Sequence, residues 1–188
     1  MPTPERTSVD AIVRAGCELL ETGGPARLTM QAVAGRVGVR APSLYKRVRS
    51  RDDLIALVAA ATARDLGARL AAVTTGGDAC ADLAVMLREV RAFAHARPAG
   101  FALILAPPVA SVPLDHEALA AAVTPLLRVT TALAGADDAL AAARTITAWA
   151  YGFLSMERAG AFSLGGDVGA AYEFGIAALA DAVRRGGR

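Results

Sequence analysis

The sequence predicts an all-α fold, and three observations predict it. Ala and Leu, both strong helix formers, dominate a chain of 188 residues that is 54% hydrophobic but only 5% aromatic. Runs of Val, Ile, Thr and Tyr of the kind that build strands are absent. Apolar residues instead recur at helical spacing between clusters of Gly, Pro, Ser, Thr and Asp. The architecture expected is an N-terminal three-helix unit containing a helix-turn-helix, then a long helix, then a C-terminal helical bundle.

The first helix is expected from about Ser8 to Glu21, capped by Thr7 or Ser8 and ended by Gly23, Gly24 and Pro25. Val9, Ile12, Val13, Leu19 and Leu20 form its apolar stripe. A second helix starts at Thr29 and ends near Gly38. A third begins around Ala41, which places Pro42 at the first helical position, where its missing N–H costs nothing. Ser50 and Asp53 have the spacing of a capping box for a fourth helix that reaches about Val73 and stops at Gly76 and Gly77. Asp78 opens the next helix, which ends near Arg97, and a short apolar helix follows from Ala99 to Ala106. A Pro-rich loop, Pro107 to Pro113, leads to a helix from Asp115 to Leu133 that Pro125 is expected to kink. Asp137 or Asp138 starts a long helix to about Ala159, Gly165 and Gly166 form a break, and Asp167 starts the last helix. The domains expected are residues 1–50, with helix 51–74 as connector, and residues 78–188.

The segment LTMQAVAGRVGVRAPSLYKRV carries the most chemistry. Met30, Val33, Ala34 and Val37 share one helical face, and small Ala34 permits two crossing helices to approach. Gly38 stands where the chain turns sharply, a place for positive φ. Val39 and Leu44 are placed to close a small core, and Arg40, Ser43, Tyr45, Lys46 and Arg47 are left facing outward. The charge pattern agrees. Residues 1–52 hold nine basic and five acidic side chains, a balance of +4 in a chain of net charge +2, and no acid occurs between Thr22 and Arg51. Such asymmetry fits a polyanion partner: Arg and Lys neutralise phosphates, Ser, Thr and Tyr donate hydrogen bonds to them, and a short helix enters the major groove. An ordinary αα-hairpin with a solvated basic face is the alternative that spacing alone leaves open.

These residues go further. Thr29 to Leu57 resembles the DNA-binding domain of the TetR family of transcriptional regulators: Thr29, Ala34, Gly38-Val39, Leu44-Tyr45, Arg51 and Asp53-Leu54 fall at the family's positions. Val48 stands where Phe is usual and Arg51 where Lys is usual. The resemblance implies backbone contacts to double-stranded operator DNA from Thr29, Ser43, Tyr45 and Lys46. It sets Arg40, Pro42 and Leu44 nearer the bases, with Leu44 as core the alternative; Arg47 is a DNA-binding candidate from its outward, basic place in the same segment. It also implies a homodimer on a palindromic operator and release by a small-molecule effector, with repression expected and activation left open.

Beyond residue 78 the physics says only helical bundle. The stretch TITAWAYGFLSMERAGAFSLGGDV looks like a TetR C-terminal subgroup with a Trp-His-Gly, His-Gly-Phe type signature. Gly152, Phe153, Ser155, Met156, Glu157, Gly160 and Phe162 match it, Tyr151 stands where His is usual, and ARPAGFALIL (96–105) is a weaker match. Trp149, Tyr151, Phe153 and Met156 are candidates to line a mainly apolar ligand pocket with Phe93, Phe101 and Leu105 opposite, and Tyr151, Ser155 or Glu157 as polar anchors. The alternative for each is plain core or a subunit interface. Phe153 and Met156 on one long helix, with Tyr172, Ile176, Leu179 and Val183 on the last, form stripes suited to dimerisation.

No G-x-S-x-G, P-loop, Gly-rich dinucleotide turn or H-E-x-x-H occurs, so an enzyme is not expected, nor is a cofactor. Cys17 and Cys80 lie far apart without metal-ligand spacing, and Asp115-His116-Glu117 lacks a second nearby His. MPTPERTSVD is not an apolar leader, and Ala99 to Leu114 is broken by three prolines. A cytoplasmic protein with no membrane partner is the expectation. An enzyme without a known motif and a protein-only interaction module stay open as other classes.

Overall fold

The computed structural model describes residues 8–106 and 116–187. The described residues are helical and contain no strand, as expected. In chain order the helices are α1 (Val9–Arg27), α2 (Met30–Val37), α3 (Ala41–Leu44), α4 (Arg51–Val73), α5 (Ala79–Ala96), α6 (Pro98–Leu105), α7 (His116–Ala134), α8 (Ala139–Arg158) and α9 (Val168–Gly186). The Pro-rich segment 107–113, the Asp115 helix start and the Thr7 cap lie outside the described residues. The helices form two compact units. Met1–Asp65 with Arg97–Leu119 is one, and Leu66–Ala96 with Ala120–Arg188 is the other.

In the first unit, Ser8 caps α1 through its hydroxyl, which accepts from Ala11 N at 3.2 Å. The regular helix breaks at Gly24 (φ 68°, ψ −175°), and Pro25–Arg27 add a further turn, so the end is later than the glycines predict. Gly16 is where α1 meets α4: a Cβ there would fall 2.7 Å from Val58 Cγ2 and 3.3 Å from Leu28 Cδ1. Ile12, Leu20, Leu28, Val33, Leu44, Val48, Leu54 and Val58 form the fully buried core. Val48, the smaller stand-in for Phe, belongs to it. Short α6 packs on α1. Glu21 fixes that contact, its carboxylate accepting from Ala99 N (3.0 Å) and Gly100 N (2.8 Å) at the first turn of α6. Those two amides have no partner within their own helix, so the acid serves as a remote cap. Nearby, burial pushes the Cys17 thiol above its ordinary pKa although Thr62 hydrogen-bonds to it.

Ser50 and Asp53 form half of the expected capping box. Ser50 Oγ accepts from Asp53 N at 3.1 Å, but the Asp53 carboxylate reaches past Ser50 to Arg49 N at 2.9 Å. Pro42 sits at the second residue of α3, one later than expected. The position is equally tolerant, because first-turn N–H groups have no intrahelical acceptor.

In the second unit α5, α8 and α9 pack on one another. Tyr172 is its largest fully buried side chain. The phenol donates to Leu87 O at 2.8 Å, its ring stacks on Trp149 (centroids 5.1 Å apart) and meets Phe153 at 5.0 Å, and Arg91 lies over it at 5.1 Å. Helix α7 runs on through Pro125, which lacks the N–H that would serve Ala121 O. That same turn abuts α4: a Cβ at Gly67 would lie 2.8 Å from both Ala121 O and Ala122 Cα. Among the described residues α7 is the one helix long and apolar enough to cross a membrane, although Ala118, Pro125, Val129, Thr130 and Ala134 on it are buried. Helix α8 ends at Arg158 and Gly160 turns the chain at φ 66°, ahead of Gly165 and Gly166. Asp167 Oδ1 caps α9 through Gly169 N (2.8 Å) and Ala170 N (3.2 Å).

Candidate nucleic-acid interface

The helix-turn-helix is assembled by caps. Thr29 Oγ1 accepts from Ala32 N at 3.1 Å and so starts α2. The helix ends at Gly38 in the left-handed region (φ 75°, ψ 34°). There Gly38 N reaches Gly35 O at 3.3 Å and Val39 N reaches Ala34 O at 2.9 Å. These are the two hydrogen bonds of a Schellman turn, which reverses the chain within a few residues. Met30, Val33 and Ala34 are buried beneath it, while Val37 and Val39 are half-buried.

Arg40 is the residue before α3. Its backbone is extended (φ −84°, ψ 145°) and its side chain makes no cap, so the guanidinium is not consumed in starting the helix. After α3 the chain turns again, with Arg47 N and Val48 N both donating to Leu44 O at 2.8 and 2.9 Å. Leu44 and Val48 thereby point into the core at 0% exposure. This corrects the expectation that Leu44 lies near the bases: it belongs to the hydrophobic core. Arg40, Pro42, Tyr45, Lys46 and Arg47 are exposed, Tyr45 at 54%, and Ser43 and Thr29 are half-buried. Neither Arg40 nor Lys46 forms an ion pair among the described residues. The Thr29 hydroxyl accepts as a cap and still carries a proton to donate.

Two of the N-terminal basic residues serve the fold. Arg36 is held by Glu18 Oε2 at 2.6 Å on the exposed surface. Arg51 donates from Nε to Leu28 O (2.9 Å) and from Nη2 to Pro25 O (2.7 Å), clamping the chain between α1 and α2. The fork of Arg serves two carbonyls at once, a task for which the ammonium of Lys is less suited. Sequence reasoning placed Arg51 only by its resemblance to a family position. Nothing in the spacing announced the carbonyls it serves.

The candidate ligand-pocket residues are dispersed. Phe93 is fully buried in the second unit, beneath Arg69 at 5.5 Å, whereas Phe101 (buried) and Leu105 (half-buried) belong to α6 of the first unit. Trp149 and Phe153 come together in an open depression of about 490 Å³ between α8 and α9, with Phe174, Gly175 and Leu179. Tyr151 and Ser155 are half-buried and Met156 is 48% exposed. Glu157 is committed within the fold: its carboxylate pairs with Arg91 and lies 3.2 Å from His95 Nε2. Burial alone would raise its pKa, but Arg91 and His95 hold the carboxyl below its ordinary value.

The stripe expected on α9 divides. Tyr172 and Ile176 point inward toward α5, because i, i+4 residues share a face and the Tyr172 hydroxyl is bound to Leu87 O. The outward face carries Phe174, 77% exposed, which sequence reasoning did not single out. Trp149 lies so close to Gly175 that no Cβ fits there, which makes that glycine a notch in the same face.

Comparisons with known proteins agree with this geometry. Residues 5–58 match the family model of bacterial regulatory proteins of the tetR family, and residues 83–179 match that of the tetracyclin repressor-like C-terminal domain. An uncharacterized HTH-type transcriptional regulator of Mycobacterium tuberculosis, Rv0681, is 27% identical over 160 residues, covering 84% of this chain and 73% of that protein. The transcriptional regulator SCO7222, a TetR from Streptomyces coelicolor, superposes with a TM-score of 0.77 at 18% identity, over 96% of this chain and 99% of that one. A variant TetR from Acinetobacter baumannii AYE, solved in complex with minocycline, does so with a TM-score of 0.69 at 21% identity, over 93% and 94%. The chain is a DNA-binding transcriptional regulator rather than an enzyme, and it belongs to the tetR family of bacterial regulatory proteins.

Proposed function

We propose that the chain is a homodimeric repressor that binds a palindromic operator through α3 and leaves it when a small, mainly apolar ligand binds within residues 78–188. The observation that carries the DNA half is the surface of the helix-turn-helix. Arg40, just before the short helix α3, and Tyr45, Lys46 and Arg47, in the turn after it, stand exposed in a stretch that holds no acid between Thr22 and Arg51. On this reading residues 1–50 are the reading head and α4 is the connector. Thr29, Ser43, Tyr45, Lys46 and Arg47 hold phosphates, and Arg40 with Pro42 lies nearest the bases.

The outward face of α8 and α9 supports the dimer. Phe174, Leu179 and Trp149 expose apolar surface around the Gly175 notch, and two such faces related by a two-fold axis make a four-helix interface. Trp149, Tyr151 and Gly152-Phe153 support the Trp-His-Gly subgroup with Tyr in place of His. The ligand half draws support from a family in which the Acinetobacter baumannii protein binds minocycline. Trp149, Tyr151, Met156, Phe93, Phe101 and Leu105 remain the first residues to substitute in seeking the site. Binding to chromosomal operators puts the work in the cytoplasm.

Selection of operators from random duplexes by the purified protein tests the reading. An enriched inverted repeat with half-sites about one helical turn, roughly 34 Å, apart is expected. Survival of random sequence without enrichment would overturn it. A ligand that releases the operator must itself bind more weakly, by the same factor, when operator is saturating.

A further inference from the structure

We propose that the cleft between the α4–α5 turn and α7 is a binding site for a small carboxylate with a short apolar body, held by Arg128. The cleft has a volume of about 300 Å³, at the lower end of small-molecule sites. Ala71, Pro125, Val129 and Ala132 give it an apolar lining, and Thr75, Gly77 and Arg128 supply polar groups at its wall.

One wall is held in shape before any ligand arrives. The Asp82 side chain, in a residue 4% exposed, accepts from Thr75 N at 2.9 Å, Thr75 Oγ1 at 3.0 Å and Gly76 N at 2.8 Å. Three donors fix the turn and compensate the carboxylate charge, so Asp82 is a structural acid and not a vacant base. Gly76, at φ 76°, takes the left-handed conformation the turn requires. The next amide, Gly77 N, has only the long 3.4 Å approach of Thr75 Oγ1, and is a donor with little invested.

Most other arginines of this unit are committed elsewhere. Arg69, Arg88, Arg91, Arg184 and Arg185 of the same unit are each paired with a carboxylate. Arg128 forms no ion pair and no side-chain hydrogen bond among the described residues, yet it lines the cleft. A planar guanidinium in the lining of an apolar cleft suits a carboxylate, through two parallel N–H···O bonds, while the cleft takes the aliphatic remainder. An alcohol of the same length would fill the pocket but forfeit the charge-assisted pair.

Calorimetric titration of the full-length protein without DNA tests the site, with hexanoate as probe and hexanol as its neutral counterpart. The expected result is saturable hexanoate binding that weakens about 10- to 100-fold in Arg128→Gln and partly recovers in Arg128→Lys, with hexanol weaker than hexanoate by a similar factor. Arg128 is exposed, so the variants are expected to melt with the wild type, which a thermal scan verifies. Ala132→Leu, which fills the cleft without touching the charge, should also abolish binding. No hexanoate binding at millimolar concentration, or equal binding by wild type, Arg128→Gln and Ala132→Leu, overturns the proposal. Because no duplex is present, its failure leaves the operator reading untouched, and failure of operator binding leaves the site untouched.

Discussion

Replacing Tyr172 with Phe removes one hydroxyl from the core of the second unit and leaves the ring. The phenol is fully buried and donates to Leu87 O at 2.8 Å, while its ring stacks on Trp149 at 5.1 Å. Loss of the hydrogen bond alone should cost about 1 kcal/mol, within the usual range of roughly 0.5–1.5 kcal/mol for a neutral pair. For a protein of this size that is roughly 2–4 °C in Tm. The more telling effect depends on pH. Burial raises the Tyr172 pKa far above its ordinary value of 10.0, outweighing the opposing pull of Arg91. A raised acid contributes stability that is complete below the unfolded pKa and is lost as pH rises, because only the unfolded chain then ionises. Between about pH 10 and 11.5 the wild type should therefore lose stability faster than Tyr172→Phe, by a slope that rises toward about 1.4 kcal/mol per pH unit. The chain's single lysine keeps that window uncrowded, and the raised Cys17 thiol cancels in the comparison. Urea melts of both proteins at several pH values from about 8 to 11.5 supply the curves. Parallel curves across that range would refute the assignment of a buried, protonated phenol.

Three further outcomes follow from the packing. Gly16→Ala places a methyl 2.7 Å from Val58 Cγ2 at the α1–α4 crossing and should destabilise by about 1–3 kcal/mol in denaturant melts, although Ala is intrinsically the better helix former. Asp82→Asn should lower stability at neutral pH yet flatten the acid limb. Hydrogen bonds led by Thr75 N depress the Asp82 pKa, so its contribution is present above the ordinary value of 3.8 and lost as pH falls through the folded value, and melts from about pH 2 to 6 show whether the two proteins converge there. Phe174→Glu, at a 77% exposed position, should leave the monomer folded but shift light-scattering mass at micromolar concentration from dimer to monomer.

The helix order was legible because its punctuation is chemical. Ser8, Thr29, Asp167 and Gly38 each cap or turn the chain where residue type predicts. Contacts distant in sequence were not legible. Glu21 capping α6 joins residues 78 or more apart, and the Arg51 clamp on Pro25 and Leu28 carbonyls leaves no trace in periodicity. On α9 the apolar residues surround the helix, so spacing alone could not tell the inward Tyr172 and Ile176 from the outward Phe174. The exposed basic surface flanking α3 was legible, because Leu44 was placed to close a small core with Arg40, Tyr45, Lys46 and Arg47 left facing outward; that Val48 fills the same core was not. The candidate pocket was the least legible: residue type does not say which distant helices meet, and Phe101 and Leu105 belong to a different compact unit from Trp149.

The salt dependence of operator binding tests the central claim most directly. Affinity of the wild type and of Lys46→Ala for the selected operator and for random duplex is measured between about 50 and 200 mM salt. Lys46 is exposed and unpaired among the described residues, so it is placed to neutralise one phosphate. The prediction is a steep fall of wild-type affinity with salt and, for Lys46→Ala, weaker binding to both duplexes with a log–log slope smaller by about one unit. In the same titration Arg40→Ala should lower the preference for operator over random duplex. Identical affinities and slopes for wild type and Lys46→Ala at every salt concentration would contradict the placement of α3 on the DNA.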